Sequence, residues 1–475
     1  MASCRPRLFV YPLPEGYRDA GAPPHDVPQD GLGRPLRMRL DGTETSCWDT
    51  EQYSLGSLIY SRALAYRCRT HDPDKADLFF VPAFKSRLGS SVECAEANST
   101  LTGAKRSLVS RLRIQLQNST RTPSWSSSST PPTTLDRRGG ADHIILNPRS
   151  GMTWERNPYC EMALGAPAFG AALYLAMEQS PRKNSSWVYP EGYCGQVCVD
   201  RYRPQLLSEP WYWSTPWTST VHLDIHSPST PPWASTHTRK RLVAALFATM
   251  HKPVLPKPTL QLRDALIRQC KAQPMRCTHA LPRSPERVAQ HYWDATFCLQ
   301  PGGDTITRKG IVDAILLGCI PVLFHQGQGA QWGWHWGGWF ETATLTLNQS
   351  AVRHGQLNVI DELAAIPTAK VLAMRRAIRK HAHRMQYSAV DTAALPSGLR
   401  GWASPDAFEV ILEGAWRVSR DTRLQHLGRQ LQHSRKGGSE VQQRRTRLAA
   451  AVRSEDDSGG DLDGSVYETQ NADWV

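Results

Sequence analysis

Short apolar runs alternate with amphipathic stretches along most of this chain, the pattern of buried parallel strands separated by helices. Leu8, Phe9, Val10 and Tyr11 form the first run, which Pro12 and Pro14 end. Leu55, Leu58, Ile59 and Leu64 recur at helical spacing within residues 54–66. Ala76-Asp-Leu-Phe-Phe-Val-Pro82 and Ala141-Asp-His-Ile-Ile-Leu146 read as two further buried strands. Leu242, Val243, Ala245, Leu246 and Phe247 restart the pattern in the second half. A helix over 260–270 follows, with Leu262, Leu266 and Ile267 on one face and Arg263 beside them. Residues 357–385 read as one or two closing helices broken at Pro367. Strand and helix alternate in both halves, which predicts an α/β protein of two doubly wound domains with a cleft between them.

The sharpest local pattern runs from Tyr292 to Phe324 and reads strand, glycine turn, helix, strand. Phe297, Cys298 and Leu299 stop at Pro301-Gly302-Gly303, where missing side chains allow close backbone approach. Thr305 or Thr307 is placed to cap the next helix, whose Ile311, Ile315 and Leu316 share a face. Gly318 is placed to end it in a left-handed turn, and Cys319 to Phe324 restarts as a buried strand. A glycine turn feeding a helix offers N–H donors and a positive dipole end to a phosphate. Arg308 and Lys309 add positive charge there, and Asp313 lies farther along the helix. An ordinary βαβ turn has the same outline, so this pattern alone does not decide between structure and phosphate binding.

Other stretches set boundaries. Ser, Thr and Pro dominate residues 118–134, and residues 98–140 read as a low-complexity surface insertion. Residues 187–235 are rich in Trp, Tyr and Pro; Trp211, Tyr212, Trp213, Trp217 and Trp233 suit either packing or stacking on sugar rings. The expected organisation is a first domain over 1–235, a second over 236–390, a helical extension over 391–434, and an acidic, disordered tail over 435–475.

Composition narrows the function. A hydrophobic content of 40% and 16 tryptophans in 475 residues belong to a globular chain with sizeable cores. A net charge of +13 suits an anionic ligand or, equally, a dispersed solvated surface, while no nucleic-acid module and no single basic block is present, so nucleic acid is not the expected partner. The 11 cysteines show no paired zinc spacing, and no Asp-x-Asp motif has a plausible metal-binding context. Four Asn-x-Ser/Thr sequons, at Asn98, Asn118, Asn184 and Asn348, together with the cysteines point to the secretory lumen. Cys298 with Cys319 and Cys270 with Cys277 are the proposed bridges, the first joining adjacent strands of one βαβ unit.

The run FCLQPGGDT…DAILLGCIPVLF, with the A-D-L-F-F-V-P and D-H strands, resembles the exostosin-like glycosyltransferases (glycosyltransferase family 47). That resemblance implies a GT-B type fold, two Rossmann-like domains facing a cleft, and favours the same two disulfides. It implies an inverting transferase that moves a sugar from a nucleotide sugar, expected to be a UDP-sugar, to a hydroxyl of a glycan or glycoprotein acceptor, with no metal or cofactor required. In its terms Arg263, Lys309 and the amides of Gly302, Gly303, Asp304 and Thr305 face the diphosphate, with Arg308 beside them, and Asp313 accepts from the ribose hydroxyls. Family members carry Ser-x-Arg five and three residues before that acid, where this chain has Arg308 and Gly310. A catalytically inactive, lumenal glycan-binding or partner subunit is the alternative those departures leave open.

No residue identifies itself as the general base; His143 and Asp224, with Glu191, lie at strand ends or loops of the first half and suit structural roles equally. The resemblance also implies the Golgi lumen or membrane. Neither a signal peptide nor a transmembrane run is visible in the sequence, so the expectation is an N-terminal anchor missing from this chain.

Overall fold

The computed structural model describes residues 4–11, 31–81 apart from 41 and 53, 138, 140–147, 172–179, 212–219, 231–247, 257–281, 284–421 apart from 304 and 389, and 425. Within them lie two all-parallel sheets. The first holds β1 (Leu8–Val10), β4 (Arg69–Thr70), β5 (Leu78–Val81), β6 (His143–Asn147), β7 (Leu173–Ala176) and β8 (Tyr212–Ser214), in the order β4-β1-β5-β6-β7-β8. The second holds β9 (Arg241–Ala245), β10 (Cys277–His279), β11 (Ala295–Gln300), β12 (Ile320–Leu323) and β13 (Leu345–Thr346), in the order β10-β9-β11-β12-β13. An antiparallel hairpin, β2 (Arg34–Leu40) and β3 (Thr43–Asp49), stands apart from both.

Both sheets wind alike. The chain starts on an inner strand, steps to one side, then crosses back past its start and continues in the other direction. Reversal falls between β1 and β5 in the first sheet and between β9 and β11 in the second. At such reversals the loops leave the strand ends in opposite directions and open a crevice outside the carboxyl ends. Strands β5, β7 and β12 are buried at every position because both sheet faces are covered, which is why their sequences are continuously apolar.

Four helices fall in the expected places, α1 (Leu55–Leu64), α2 (Lys257–Ala272), α4 (Lys309–Leu316) and α5 (Thr368–His381), whereas α3 (Pro285–Asp294) was not expected and takes Tyr292 into a helix ahead of the strand. Pro367 precedes α5 directly, as the break in the pattern requires. Gly318 takes φ +69° and ends α4 in the expected left-handed turn. The extension folds as α6 (Ser397–Ala403) and α7 (Ala407–Ser419), and it returns to the first sheet. Buried Arg62 on α1 lies 3.5 Å from Asp406 and 3.8 Å from Asp391 and Glu409. Arg67 adds contacts of 2.7 Å to Asp391 and 3.0 Å to Glu409.

The two expected disulfides are present, Cys270–Cys277 and Cys298–Cys319, with Cα separations of 5.1 and 6.0 Å. A third, Cys4–Cys68, joins the approaches to β1 and β4 and was not anticipated. The expected boundary near 235 falls between β8 and β9. Among the described residues no helix is long and apolar enough to cross a membrane.

Candidate active site

The reversal point of the second sheet gathers positive charge. Strand β9 runs into Leu246 and Phe247, and β11 runs into Pro301, Gly302 and Gly303. Arg263 reaches there from α2, buried to 8% exposure, and donates from Nε and Nη2 to the Gly302 carbonyl at 3.0 and 2.7 Å. Arg308 comes from the other side and donates to the Leu246 carbonyl at 2.9 Å. Both guanidiniums face the Phe247 ring, 5.8 and 6.0 Å from its centroid. An aromatic face helps two cations share one small volume.

Two local expectations need correction. Neither Thr305 nor Thr307 caps α4; its N-cap is Arg308, with no side-chain cap bond. The Thr305 hydroxyl turns back to donate to the Thr307 carbonyl at 3.1 Å, and Thr307 gives both its N–H (2.6 Å) and its hydroxyl to Glu178 of the first half. That buried carboxylate outcompetes the helix end for the threonine. The turn's amides are also not all directed at an open site, because the Gly303 N–H donates to the Thr305 carbonyl at 2.8 Å.

Lys309 and Asp313 pair across one turn of α4 at 3.2 Å. The other Asp313 oxygen accepts from the Ser219 hydroxyl at 2.5 Å, so this buried acid joins the halves. At Gly310 a Cβ would lie 2.8 Å from Gln300 Oε1, 2.9 Å from the Tyr292 hydroxyl and 3.2 Å from Arg308 Nε. A side chain at 310 would require the ends of Gln300 and Tyr292 to shift, and the Arg308 guanidinium already lies beside it. Arg308 thus brings a guanidinium close to position 310, where the family resemblance leads one to expect an arginine.

His143 lies inside the first sheet, fully buried and stacked on Phe79. Its Nε2 bonds the Tyr11 hydroxyl at 2.9 Å and its Nδ1 bonds Asp142 at 2.8 Å, so both ring nitrogens are occupied. This places it in a structural network and not on the cleft surface. The tryptophans pack likewise: Trp217 donates to Thr307 Oγ1 at 2.8 Å, Trp233 is buried, and Trp213 stacks on Trp334. Trp332 bonds the Met177 carbonyl at 2.9 Å and its N–H bonds Ser214 at 2.7 Å, closing the seam with β7 and β8.

Sequence reasoning missed Glu178 and Ser219 and, for Trp217, missed the partner; the fold brings the three to Thr307 and Asp313 from 90 to 129 residues away. The one available signal was the apolar run 172–177, a buried strand whose carboxyl end carries an acid. Asn348 is exposed, and its side-chain oxygen caps the helix Gln349–Arg353 through the amides of Ser350 and Ala351. Asp304, Asp224, Glu191, Trp211, Asn98, Asn118 and Asn184 lie outside the described residues, as do most of 98–140 and all of 435–475.

The family model of the Exostosin GT47 domain matches residues 3–336, and the chain belongs to that family of glycosyltransferases. An Arabidopsis thaliana protein named "Probable xyloglucan galactosyltransferase" is 26% identical over 84% of this chain and 77% of its own length. A xyloglucan galactosyltransferase of Arabidopsis thaliana is 25% identical over 75% of this chain and 52% of its own length. Among solved structures, glycosyltransferase VinC in complex with DTDP aligns with a TM-score of 0.23 at 14% identity, over 58% of this chain and 66% of that one. The GT-B assignment rests on the two parallel sheets themselves.

Proposed function

We propose that this GT47 chain is an inverting, metal-independent transferase that moves a sugar from a UDP-sugar to a hydroxyl of a glycan. The observation that carries this reading is the convergence of Arg263 and Arg308 on Phe247 at the reversal of the second sheet, with Lys309 and Asp313 beside it. As the bond from sugar to phosphate breaks, negative charge builds on the leaving diphosphate. Fixed guanidiniums stabilise that charge more in the transition state than in the bound donor. Asp313 would exchange its Ser219 partner for a ribose hydroxyl, and Lys309 would turn towards the phosphates. The acceptor attacks from the opposite face of the sugar, which inverts the anomeric centre, and a base on the acceptor side takes its proton.

The position of Arg308 beside residue 310 favours the active reading over the inactive alternative, which rests on the expected serine and arginine that this chain lacks. Likeness to the Arabidopsis relatives makes galactose the first sugar to test and a xyloglucan-type glycan the first acceptor. The three disulfides among the described residues support passage through an oxidising compartment, in keeping with a Golgi lumenal or membrane enzyme.

The test is calorimetric titration of UDP with chelator present, followed by transfer assays across UDP-sugars and xyloglucan. Metal-free UDP binding and transfer with inversion are expected. Folded protein that binds no UDP at millimolar concentration overturns the reading, and dependence on added metal overturns the metal-free part.

A further inference from the structure

Thr307 lies between the glycine turn and α4, and its three polar groups are all committed. Its hydroxyl accepts from Trp217 Nε1 at 2.8 Å, so its own proton must go elsewhere, and it goes to Glu178 Oε1. The same oxygen accepts the Thr307 N–H at 2.6 Å. The Thr307 carbonyl accepts from Thr305 at 3.1 Å, the Thr305 carbonyl accepts from Gly303 at 2.8 Å, and the Gly302 carbonyl holds Arg263 at 2.7 and 3.0 Å. A continuous set of hydrogen bonds therefore runs from Glu178, at the end of β7, to the guanidinium facing Phe247.

Glu178 is fully buried, and a buried carboxylate is costly unless its hydrogen bonds are made. The halves do not need it merely to adhere. Gln179 and Gln331 exchange bonds of 2.7 and 2.9 Å, and Trp332 joins Met177 and Ser214 close by. Those contacts reach segment 327–332, whereas Glu178 and Trp217 reach the donor turn.

We infer that Glu178 is a positioning residue: through Thr307 it fixes the 302–307 turn, and with it Arg263, against the acceptor-side half. This rests on the donor role proposed above for that turn. It sets where the diphosphate lies relative to the acceptor, without Glu178 touching either substrate.

Four variants of the full chain test it: Glu178→Ala, Glu178→Gln, Thr307→Val and Thr307→Ser. Glu178→Ala and Thr307→Val should raise the donor KM and the UDP Kd roughly tenfold or more, as loss of a buried charge-assisted hydrogen bond implies, with the acceptor KM unchanged. Glu178→Gln keeps an oxygen that accepts both Thr307 bonds, and Thr307→Ser keeps the hydroxyl, so both should stay within about threefold of wild type. Amide hydrogen exchange over 301–308 gives a second readout that needs no nucleotide: Thr307→Val and Glu178→Ala should accelerate it and Thr307→Ser should not.

If Glu178→Ala fails to fold, the Thr307 pair decides. Unchanged exchange and unchanged donor KM in folded Thr307→Val overturn the inference. A hundredfold loss of kcat in Glu178→Gln at constant donor KM also overturns it, in favour of a general base. Accelerated exchange in a protein whose wild type binds no UDP would uphold the pin and reject the donor reading instead.

Discussion

The two sheets wind in the same order yet differ in the described side chains at their reversal points. In the second, a short turn after β11 brings Arg263 and Arg308 to one aromatic ring. In the first, β1 runs into Tyr11, whose hydroxyl is committed to a histidine that Asp142 holds from the other side. Both sheets open a crevice at the reversal, because winding alone produces it; residue placement decides which crevice attracts an anion. The donor role proposed for the second half therefore rests on charge and not on topology.

The largest expected difference concerns the covalent staples. Cys4–Cys68 closes a separation of 64 residues in the first half, and Cys298–Cys319 closes 21 in the second. Loop-closure entropy gives about 4 kcal/mol for the longer loop and about 3 kcal/mol for the shorter. Denaturant titration of Cys4→Ala/Cys68→Ala and Cys298→Ala/Cys319→Ala should rank them in that order. The reverse ranking would show that native packing around the buried Cys298 and Cys319 outweighs chain entropy.

Acid should act next, at the seam where α7 returns to the first half. Burial, with Arg384 adding repulsion, depresses His383 to about 4, and burial takes His335 down to about 3. Both folded values lie below the ordinary 6.5, so their contribution is complete above pH 6.5 and is lost as pH falls through about 4 and about 3. Asp406 runs the other way: burial raises its carboxyl to about 6 against the pull of Arg62, which favours the folded state as pH falls below 6. Two histidines against one carboxyl leave one net proton, or about 3 kcal/mol lost between pH 6.5 and pH 4. Guanidinium midpoints at pH 7, 5.5 and 4 measure this. A flat profile would mean that the histidines are reached by water.

Arg263→Ala should weaken UDP binding by about 10- to 100-fold, the worth of a charge-assisted contact of roughly 1.5–3 kcal/mol. Arg263→Lys should recover part of it, since a lysine keeps the charge without the planar fork. Calorimetry decides, and unchanged affinity in folded Arg263→Ala removes the asymmetry between the halves.

The sequence showed this proposed donor side well because its pieces are close together. Residues 292–324 contain β11, the turn, α4 and β12, and Gly318 and the cysteine pair announced themselves locally. What escaped was contributed from a distance. The caps assigned to Thr305 and Thr307 failed because Glu178, 129 residues earlier, claims Thr307, and no spacing rule links them. Cys4 and Cys68 escaped for the same reason. The hairpin β2–β3 was legible and overlooked: Leu36, Met38 and Leu40 alternate buried with exposed neighbours ahead of an Asp-Gly pair at 41–42, a strong local hairpin signal.

The smallest expected effect tests the first sheet directly. Tyr11→Phe removes the hydroxyl bonded to His143 Nε2 and leaves the ring in place against Phe9, Phe79 and His143. Loss of one buried hydrogen bond costs about 1 kcal/mol, and it strands one imidazole nitrogen in an apolar site. Thermal denaturation should register that loss while the UDP Kd stays at its wild-type value. Asp142 still holds Nδ1, so the imidazole keeps its orientation and the strand register is preserved. A rise in UDP Kd with Tyr11→Phe would show that the two crevices communicate through the seam at Glu178, and the donor site would then belong to both halves.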